Sequence, residues 1–241
     1  MVIYILLLAI RHRSLTLFTI ANPGIPESGV AMESKSEILG AFGEGHPAIA
    51  PWKLLSAGLS ADAKYAELET FARSSGFPLV LKPDVGERGL GVAIIANAEQ
   101  AKRYLAACPH SVIAQEYVAG EEFGVFYVRH PDESCGRIIS ITEKRPLELV
   151  GDGESSLEQL ILRDERAGCS AAFLLNRHAA RLARVPTAGE LVTVAELGTH
   201  ARGAIFLDGG ALCSASLERK IDRISKGSVR ISMASTTGVT M

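Results

Sequence analysis

The chain has 241 residues, with 25 lysines and arginines against 27 aspartates and glutamates, a formal net charge of −2 and a pI near 6.3. This length suffices for one large domain or two small lobes with a substantial core. The balanced charge excludes the basic footprint of nucleic-acid-binding proteins, so no nucleic-acid partner is expected. The cysteines lack Cys-x-x-Cys spacing, which indicates reduced thiols in a cytoplasmic protein rather than a disulfide framework or a zinc site; they are Cys108, Cys135, Cys169 and Cys213.

The first ten residues are almost entirely apolar and precede Arg11, His12 and Arg13. This run is far shorter than the roughly 20 apolar residues that span a bilayer. It also lacks the basic start and the small-residue cleavage site of a signal peptide. We therefore expect a buried strand or helix here, and membrane association of the chain is not expected. A membrane-associated segment is the alternative.

The next elements lead to the middle of the chain. A short helix is predicted over 33–42, followed by a Gly- and Pro-rich linker over 43–51. We interpret residues 1–55 as the remnant of a preceding segment or lobe. A helix is predicted over 61–75, with Gly76 placed to cap its end.

The central motif is a short apolar strand over 77–81 that delivers Lys82 to a loop containing Gly86, Gly89 and Gly91. Glycines permit backbone conformations that bring main-chain N–H groups close to an anion. The loop is neither a dinucleotide fingerprint nor a Walker A motif, because no helix opens directly after it and no Gly-Lys-Ser/Thr follows. A plain turn between strands is the alternative.

The remaining predicted elements alternate between strands and helices. In chain order they are a strand over 92–96, a helix from Asn97, strands over 111–117, 123–130 and 137–143, a helix from Ser155 with Glu158 in capping-box spacing, a helix over 176–183, strands over 191–196 and 204–207, and a helix over 217–224. Arg177 and His178 are interpreted as a solvated helix face. Beyond Lys226 we predict an irregular tail over 227–241.

This order of elements, with Lys82-Pro, the Gly-rich loop and a later Glu116-x-x-x-Gly-x-Glu122, resembles the ATP-grasp superfamily over about residues 60 to 225. D-alanine–D-alanine ligases and cyanophycin synthetases belong to that superfamily. The resemblance implies an α+β ATP-grasp fold at 56–226, in which two α/β lobes, about 60–118 and 119–226, clasp the nucleotide.

The resemblance also implies an activity. ATP-grasp enzymes of the ligase type use ATP and Mg²⁺ to convert a carboxylate into an acyl phosphate, which an amine or a thiol then attacks. The expected partners are therefore ATP and a small carboxylate substrate, and a homo-oligomer is one expectation for the assembly. The residues do not identify the carboxylate or the nucleophile.

Several residues match phosphate-binding positions of the superfamily. The match implies that Lys82 contacts the α- and β-phosphates, as its compact charge suits. Gly86, Gly89 and Gly91 would form a lid over the triphosphate with Arg88 beside it, and closure would exclude water from a reactive intermediate. The alternatives are a solvated surface lysine and an exposed loop arginine.

The residues at the end of the next strand match the nucleoside-binding positions. The match implies that the backbone of Glu116, Tyr117 and Val118 pairs with adenine, and that Glu122 holds the ribose hydroxyls, which a carboxylate accepts well. Glu121 takes this role if the register differs by one residue. A strand end with solvated acids is the alternative.

Two further positions bear on the reaction. Lys144, with Arg145 as the alternate, falls where the superfamily places a second cation on the triphosphate, and either cation would neutralise charge that develops on the γ-phosphate. Arg202 could grip a substrate carboxylate. The neighbouring His200 and Asp208 belong to the same segment, for which a simple polar loop is the alternative.

One expected feature is missing from the sequence. ATP-grasp ligases hold magnesium with an Asp or Glu on one late strand and a Glu-x-Asn on another, yet no acidic residue follows Asp222 here. Few oxygen donors are then left for magnesium, and the metal ligands stay unknown. A truncated, frame-disrupted or non-catalytic nucleotide-binding protein is therefore the alternative to an active ligase.

Overall fold

The structure is a computed structural model that describes residues 2–16, 33–86, 89–130, 132–195, 203–227 and 237–240. The chain divides into two compact units. Unit 1 comprises Met1–Ala119, Phe126–Ile139 and Ser214–Gly238, and unit 2 comprises Gly120–Val125, Ser140–Cys213 and Val239–Met241. The lobe boundaries given by the family resemblance stay a prediction.

Helices and strands mix throughout the described residues, as an α+β fold requires. The helices are α1 Val2–Arg11, α2 Lys35–Gly40, α3 Ala61–Ser75, α4 Ala98–Ala107, α5 Leu157–Arg163, α6 Glu165–Gly168, α7 Ala171–Arg177 and α8 Ala215–Gly227. The strands are β1 Trp52–Leu55, β2 Leu79–Pro83, β3 Ala93–Ile95, β4 Val112–Glu116, β5 Glu122–Val128, β6 Arg137–Arg145, β7 Leu147–Val150, β8 Leu191–Ala195, β9 Ile205–Asp208 and β10 Thr237–Thr240. Among the described helices, none combines the length and the apolar character needed to cross a membrane.

Unit 1 is built on a sheet with the strand order β1-β4-β2-β3, in which neighbouring strands are antiparallel. The buried residues of β2, Leu79 and Leu81, alternate along the strand because successive side chains point to opposite faces. They pack with Leu68 of α3 and Leu105 of α4 in one apolar core. The two helices therefore hold the sheet from which Lys82 emerges.

A buried lysine joins α3 to the end of α4 within unit 1. Lys64 is 2% exposed. Its Nζ donates to the carbonyl oxygens of Cys108 at 3.2 Å, Pro109 at 3.4 Å and His110 at 2.8 Å. These carbonyls follow the last turn of α4, where the helix dipole favours a cation. Lys64 thus supplies hydrogen-bond donors to the three carbonyl groups that directly follow α4.

Unit 2 has a second core formed by the β7–β8 pair and the helices α5, α6 and α7. Its buried members are Leu147, Leu149, Leu157, Leu160, Ile161, Ala167, Leu174, Val192, Val194 and Ala195. The N-terminus of α5 carries a capping box, in which Ser156 and Gln159 satisfy each other's backbone N–H groups. The predicted box at Ser155 and Glu158 is therefore wrong by one residue.

A third sheet has the strand order β10-β5-β6-β9. Strands β6 and β9 are antiparallel, with Lys144 opposite Phe206 and Arg145 opposite Ile205. The division into two units passes through β5 and β6. The sequence predicts no regular structure beyond Lys226, whereas the structure has the short strand β10 at Thr237–Thr240.

Several predicted elements need correction. The second of the helices predicted after residue 155 is α7 at Ala171–Arg177 instead of 176–183, because His178 turns away from the helix and donates from Nε2 to the Val194 carbonyl oxygen, 2.8 Å away. His178 is consequently buried, not part of a solvated face. The strand β1 was missed because the charged Lys53 interrupts a short apolar run next to the Gly- and Pro-rich segment.

The N-terminal segment differs most from its expectation. It forms the helix α1, yet most of its large apolar side chains are exposed rather than buried. Residues 1–10 are almost all apolar, so their pattern does not mark one face of the helix as buried. The sequence alone therefore could not predict which of these side chains are exposed.

A tight backbone contact gives a test of the unit 2 fold. Gly151 is buried, and a Cβ at this position would lie 2.3 Å from the carbonyl oxygen of Thr187 and 2.8 Å from Cβ of Pro186. We expect Gly151→Ala to lower the free energy of unfolding by about 1–3 kcal/mol, because the backbone must shift. Gly58→Ala is the matched control, since the added methyl would meet only Ser56 Oγ at 3.9 Å. Urea denaturation measures both, and equal midpoints for the two variants would contradict the contact.

Candidate functional site

Lys82 lies near the end of β2 and is partly buried. Its Nζ donates to Oε1 of Gln115 at 2.7 Å, and Nε2 of Gln115 donates to the carbonyl oxygen of Ala50 at 3.1 Å. Burial lowers the pKa of Lys82 below its usual value, and the nearby positive charge of Lys35 lowers it further. An ammonium group in this setting gains from an anionic ligand, which would restore the lost solvation.

The backbone directly after Lys82 is tied to the N-terminus of α2. Asp84 is buried, and its Oδ1 accepts from the Ser36 backbone N–H at 2.8 Å while its Oδ2 accepts from Ser34 Oγ at 2.9 Å. Lys35 Nζ donates to the carbonyl oxygens of Asp84 at 3.1 Å and Gly86 at 2.6 Å. We call these five residues the α2 clasp. It fixes the point at which the Gly-rich loop begins.

The loop closes with a second set of contacts. Gly89 and Gly91 have φ angles of +70° and +74°, a region that disfavours other residues. A Cβ on Gly91 would lie 2.6 Å from Cγ of Pro83, so the space also requires glycine. The hydroxyl of Tyr104 donates to the Gly91 carbonyl oxygen at 2.6 Å. Burial raises the pKa of Tyr104 far above its usual range, which keeps this donor protonated.

The described part of the loop is thus held at its start by the α2 clasp and at its end by Tyr104, which suits an anion-binding turn. Gly86 leaves the α2 clasp with a φ angle of +154°. Arg88 lies outside the described residues, so its predicted place beside the lid stays a prediction.

The predicted adenine-binding segment follows β4. Glu116 pairs with Leu79 in the β2–β4 register, three residues along β2 from Lys82, which corresponds to roughly 10 Å. The Glu116 N–H donates to the Pro51 carbonyl oxygen at 2.9 Å. Tyr117 and Val118 are 39% and 70% exposed, and within the described chain their amides make no backbone hydrogen bond. The backbone left for a base is therefore that of Tyr117 and Val118.

Unit 2 contains the other predicted pair. Lys144 Nζ and Glu122 Oε1 are 2.8 Å apart, and their side chains are 12% and 40% exposed. Gly124 lies beside them, since a Cβ there would be 3.4 Å from Lys144 Cε. Arg145 instead forms an ion pair with Glu143, which raises the pKa of the exposed guanidinium. Lys144 and Glu122 therefore lie together in unit 2, and their roles, like those of the alternates Arg145 and Glu121, stay predictions.

The predicted substrate-binding and metal-binding parts are described only in part. Arg202 and His200 lie outside the described residues. Asp208 ends β9, and its Oδ1 accepts from the Gly210 N–H at 2.9 Å, which makes it a turn residue. Across the described ranges, no group of three or more His, Cys, Asp or Glu side chains could hold a metal ion.

Asp222, the last acidic residue of the chain, is engaged within α8 and its surroundings. Lys226 Nζ lies 2.6 Å from Asp222 Oδ2, and the Tyr127 hydroxyl and the Gly136 N–H donate to Oδ1. Burial opposes ionisation, but these donors lower the pKa of Asp222 below its usual value. The same contact and burial raise the pKa of Tyr127 to about 12. Asp222 thus serves the packing of α8.

Three residues around Lys82 were not predicted from the sequence: Lys35, Asp84 and Gln115. Gln115 gave a signal, because it is a polar residue that directly follows the apolar residues Val112, Ile113 and Ala114 of β4. Lys35 and Asp84 gave none, because the contact between them spans 49 residues.

The comparisons agree on one type of fold. No family model matches the chain. It is 29% identical over 99 residues to a cyanophycin synthetase from Geminocystis herdmanii and 28% identical over 116 residues to a glutathione biosynthesis bifunctional protein from Streptococcus mutans; these matches cover 39% and 46% of this chain. The chain spans only 11% and 15% of those two relatives. The crystal structure of a D-alanine–D-alanine ligase from Bacillus anthracis matches 91% of this chain and 56% of that one, with a TM-score of 0.50 and 16% identity.

The chain resembles ATP-grasp ligases in its fold and in part of its sequence. Its α+β fold is that of an ATP-grasp protein, as the order of motifs predicted. Within this fold, Lys82 and the Gly-rich loop belong to unit 1, and the Lys144–Glu122 pair belongs to unit 2.

Proposed function

We propose that the chain binds ATP and acts as a ligase that joins a carboxylate to an amine or a thiol through an acyl phosphate. The observation that carries this proposal is Lys82, a partly buried ammonium with a lowered pKa at the base of a Gly-rich loop that the α2 clasp and Tyr104 hold. Such a group is suited to binding a polyphosphate, whereas on a plain turn its desolvation would not be compensated by an anion.

The other site residues take the roles implied by the superfamily. The backbone of Tyr117 and Val118 receives adenine, with Glu116 fixing the start of this segment through its N–H hydrogen bond to the Pro51 carbonyl oxygen, and Glu122 accepts from the ribose hydroxyls. Lys144 contacts the γ-phosphate, which requires it to exchange part of its contact with Glu122 for the nucleotide. Arg202 binds the substrate carboxylate, and Gly86, Arg88, Gly89 and Gly91 cover the phosphates.

The proposed reaction has two steps, a phosphoryl transfer and an acyl transfer. A carboxylate oxygen attacks the γ-phosphorus, the bond from that phosphorus to the β–γ bridging oxygen breaks, and ADP leaves. An amine nitrogen or a thiolate sulfur then attacks the acyl carbon, inorganic phosphate leaves, and an attacking amine loses a proton. Lys144 neutralises charge on the transferred group during the first step.

A non-catalytic nucleotide-binding protein is the second candidate, because no acidic residue and no Glu-x-Asn follows Asp222. ADP release by the purified chain with ATP and magnesium separates the two candidates. We expect release that requires both a carboxylate and an amine or a thiol from a screen of amino acids and short peptides. ATP binding without turnover across the screen would favour the second candidate. A cytoplasmic location is part of the same proposal.

Replacement of Lys144 by methionine tests its role in turnover. We expect the rate of ADP release to fall about 100-fold, because a donor aimed at developing charge is lost. Arg145→Met is the matched control: it removes a neighbouring cation on the same strand, but one that is exposed and paired with Glu143, and its rate should stay close to that of the parent chain. Equal losses in both variants would show a general charge effect instead of a role for Lys144.

A further inference from the structure

The helix α1 presents an apolar stripe to solvent. Ile3, Leu6, Leu7 and Ile10 are 75%, 51%, 59% and 74% exposed, and they recur at the i, i+3, i+4 and i+7 spacing of one helix face. Ala9, which lies on the other side of the helix, is 6% exposed. Tyr4 and Ile5, at 65% and 38% exposure, are exposed as well, so the helix presents apolar side chains to solvent over most of its surface and Ala9 marks the side that meets the protein.

This arrangement is the reverse of an ordinary surface helix, whose outer side is polar. Single exposed apolar residues are common, but a contiguous stripe of large ones marks a surface that another apolar phase covers. Leu15, at 78% exposure, extends the apolar surface beyond the helix.

The charge next to the stripe indicates what covers it. Arg11, His12 and Arg13 follow directly and are exposed. The first acidic residue in the sequence is Glu27, so the segment is cationic throughout. A second copy of α1 would offer the same cations and no acid, whereas an anionic lipid surface offers both phosphate groups and an apolar interior.

We propose that α1 docks on the surface of a membrane containing anionic lipids. The stripe enters the boundary between headgroups and acyl chains, and Arg11 and Arg13 contact lipid phosphates. A helix of ten residues is about 15 Å long, so it lies in the plane of the interface and does not span it. This role takes up the alternative left open for residues 1–10, and it is independent of the ATP site.

Vesicle sedimentation of the full chain tests the proposal. The probes are vesicles of phosphatidylcholine alone and vesicles in which about one quarter is phosphatidylserine. We expect binding to the mixed vesicles that weakens as salt is added, and little binding to the neutral ones. Leu6→Glu with Leu7→Glu should reduce the bound-to-free ratio by about tenfold or more.

Two matched controls separate this surface from general effects. Leu162→Glu adds a charge at a leucine of similar exposure, 55%, and should leave binding unchanged. Arg11→Glu with Arg13→Glu should remove the preference for anionic lipid, whereas Arg219→Glu with Arg223→Glu, two exposed arginines of α8, should not. Binding that ignores both α1 double variants would overturn the proposal. Self-association is the other outcome that would overturn the proposal. In that case the parent chain would not bind vesicles, light scattering would show a dimer, and only the Leu6→Glu/Leu7→Glu variant would be a monomer.

Discussion

Replacement of Lys64 by methionine should lower the free energy of unfolding by about 2 kcal/mol, because hydrogen bonds to a charged donor each contribute on the order of 1.5–3 kcal/mol and their carbonyl partners regain only part of this from water. Methionine keeps the length and the apolar stem, so the core position stays filled. The loss falls on the carbonyl oxygens of Cys108, Pro109 and His110, which lie just past α4.

Urea denaturation measures this loss, and the control is an exposed lysine. Lys220→Met on α8 removes a cation of exposed position and should change the stability by less than about 0.5 kcal/mol. For a chain of this size, a loss of 2 kcal/mol corresponds to a fall of roughly 4–8 °C in Tm. If Lys64→Met and Lys220→Met unfold at the same urea concentration, the three carbonyl contacts do not stabilise the fold.

Replacement of Lys82 by methionine should weaken binding of ATP with magnesium by tenfold or more, about 1.4 kcal/mol in calorimetric titration. The reason is that a poorly solvated ammonium gains from the phosphates what it lacks in the free protein. Lys53→Met is the matched control, because Lys53 lies in the same sheet but is 37% exposed and is paired with Glu67. Comparable losses in both variants, or no loss in Lys82→Met, would contradict the proposed phosphate contact.

Two further readouts keep this test separate from misfolding. Lys82→Met removes the desolvation cost of the ammonium and also its hydrogen bond to Gln115; these two effects oppose each other, so the variant should unfold within about 1 kcal/mol of the parent chain in urea. The pH dependence has a definite sign. The lysine must be protonated to bind phosphate, and its pKa in the free protein is below the usual 10.5, so ATP affinity should fall as pH rises through that lowered value. The Lys82→Met variant should lack this fall.

Local patterns were enough to predict the elements that carry their own signals. The helix predicted over 61–75 has the observed bounds, Ser60 caps it, and Asn97 caps α4 as predicted. The order of the strands and the glycines of the loop were enough to predict the ATP-grasp fold. These features depend on side chains a few residues apart, which is the range that periodicity and capping report.

Contacts between distant segments could not be predicted in this way. The hydrogen bonds of Asp84 with Ser34 and Ser36 cross about 50 residues of chain, and nothing in either short stretch names the other. The burial of His178 and the exposure of Ile3 and Ile10 likewise depend on what packs nearby, which a single sequence does not contain. Tertiary context decides such positions.

The α2 clasp also sets the shortest piece of the chain that can be expected to keep its phosphate loop in order. A fragment starting at residue 56 retains Lys82 and every loop glycine, but it loses Ser34, Lys35 and Ser36, leaving the Asp84 carboxylate and the Gly86 carbonyl oxygen without their partners. In limited proteolysis, cleavage between α2 and β1 would leave α2 held to the loop by these side-chain contacts and by the backbone hydrogen bond from the Lys35 N–H to the Asp84 carbonyl oxygen. A truncated chain that keeps the phosphate loop in order should therefore still contain Ser34, Lys35 and Ser36.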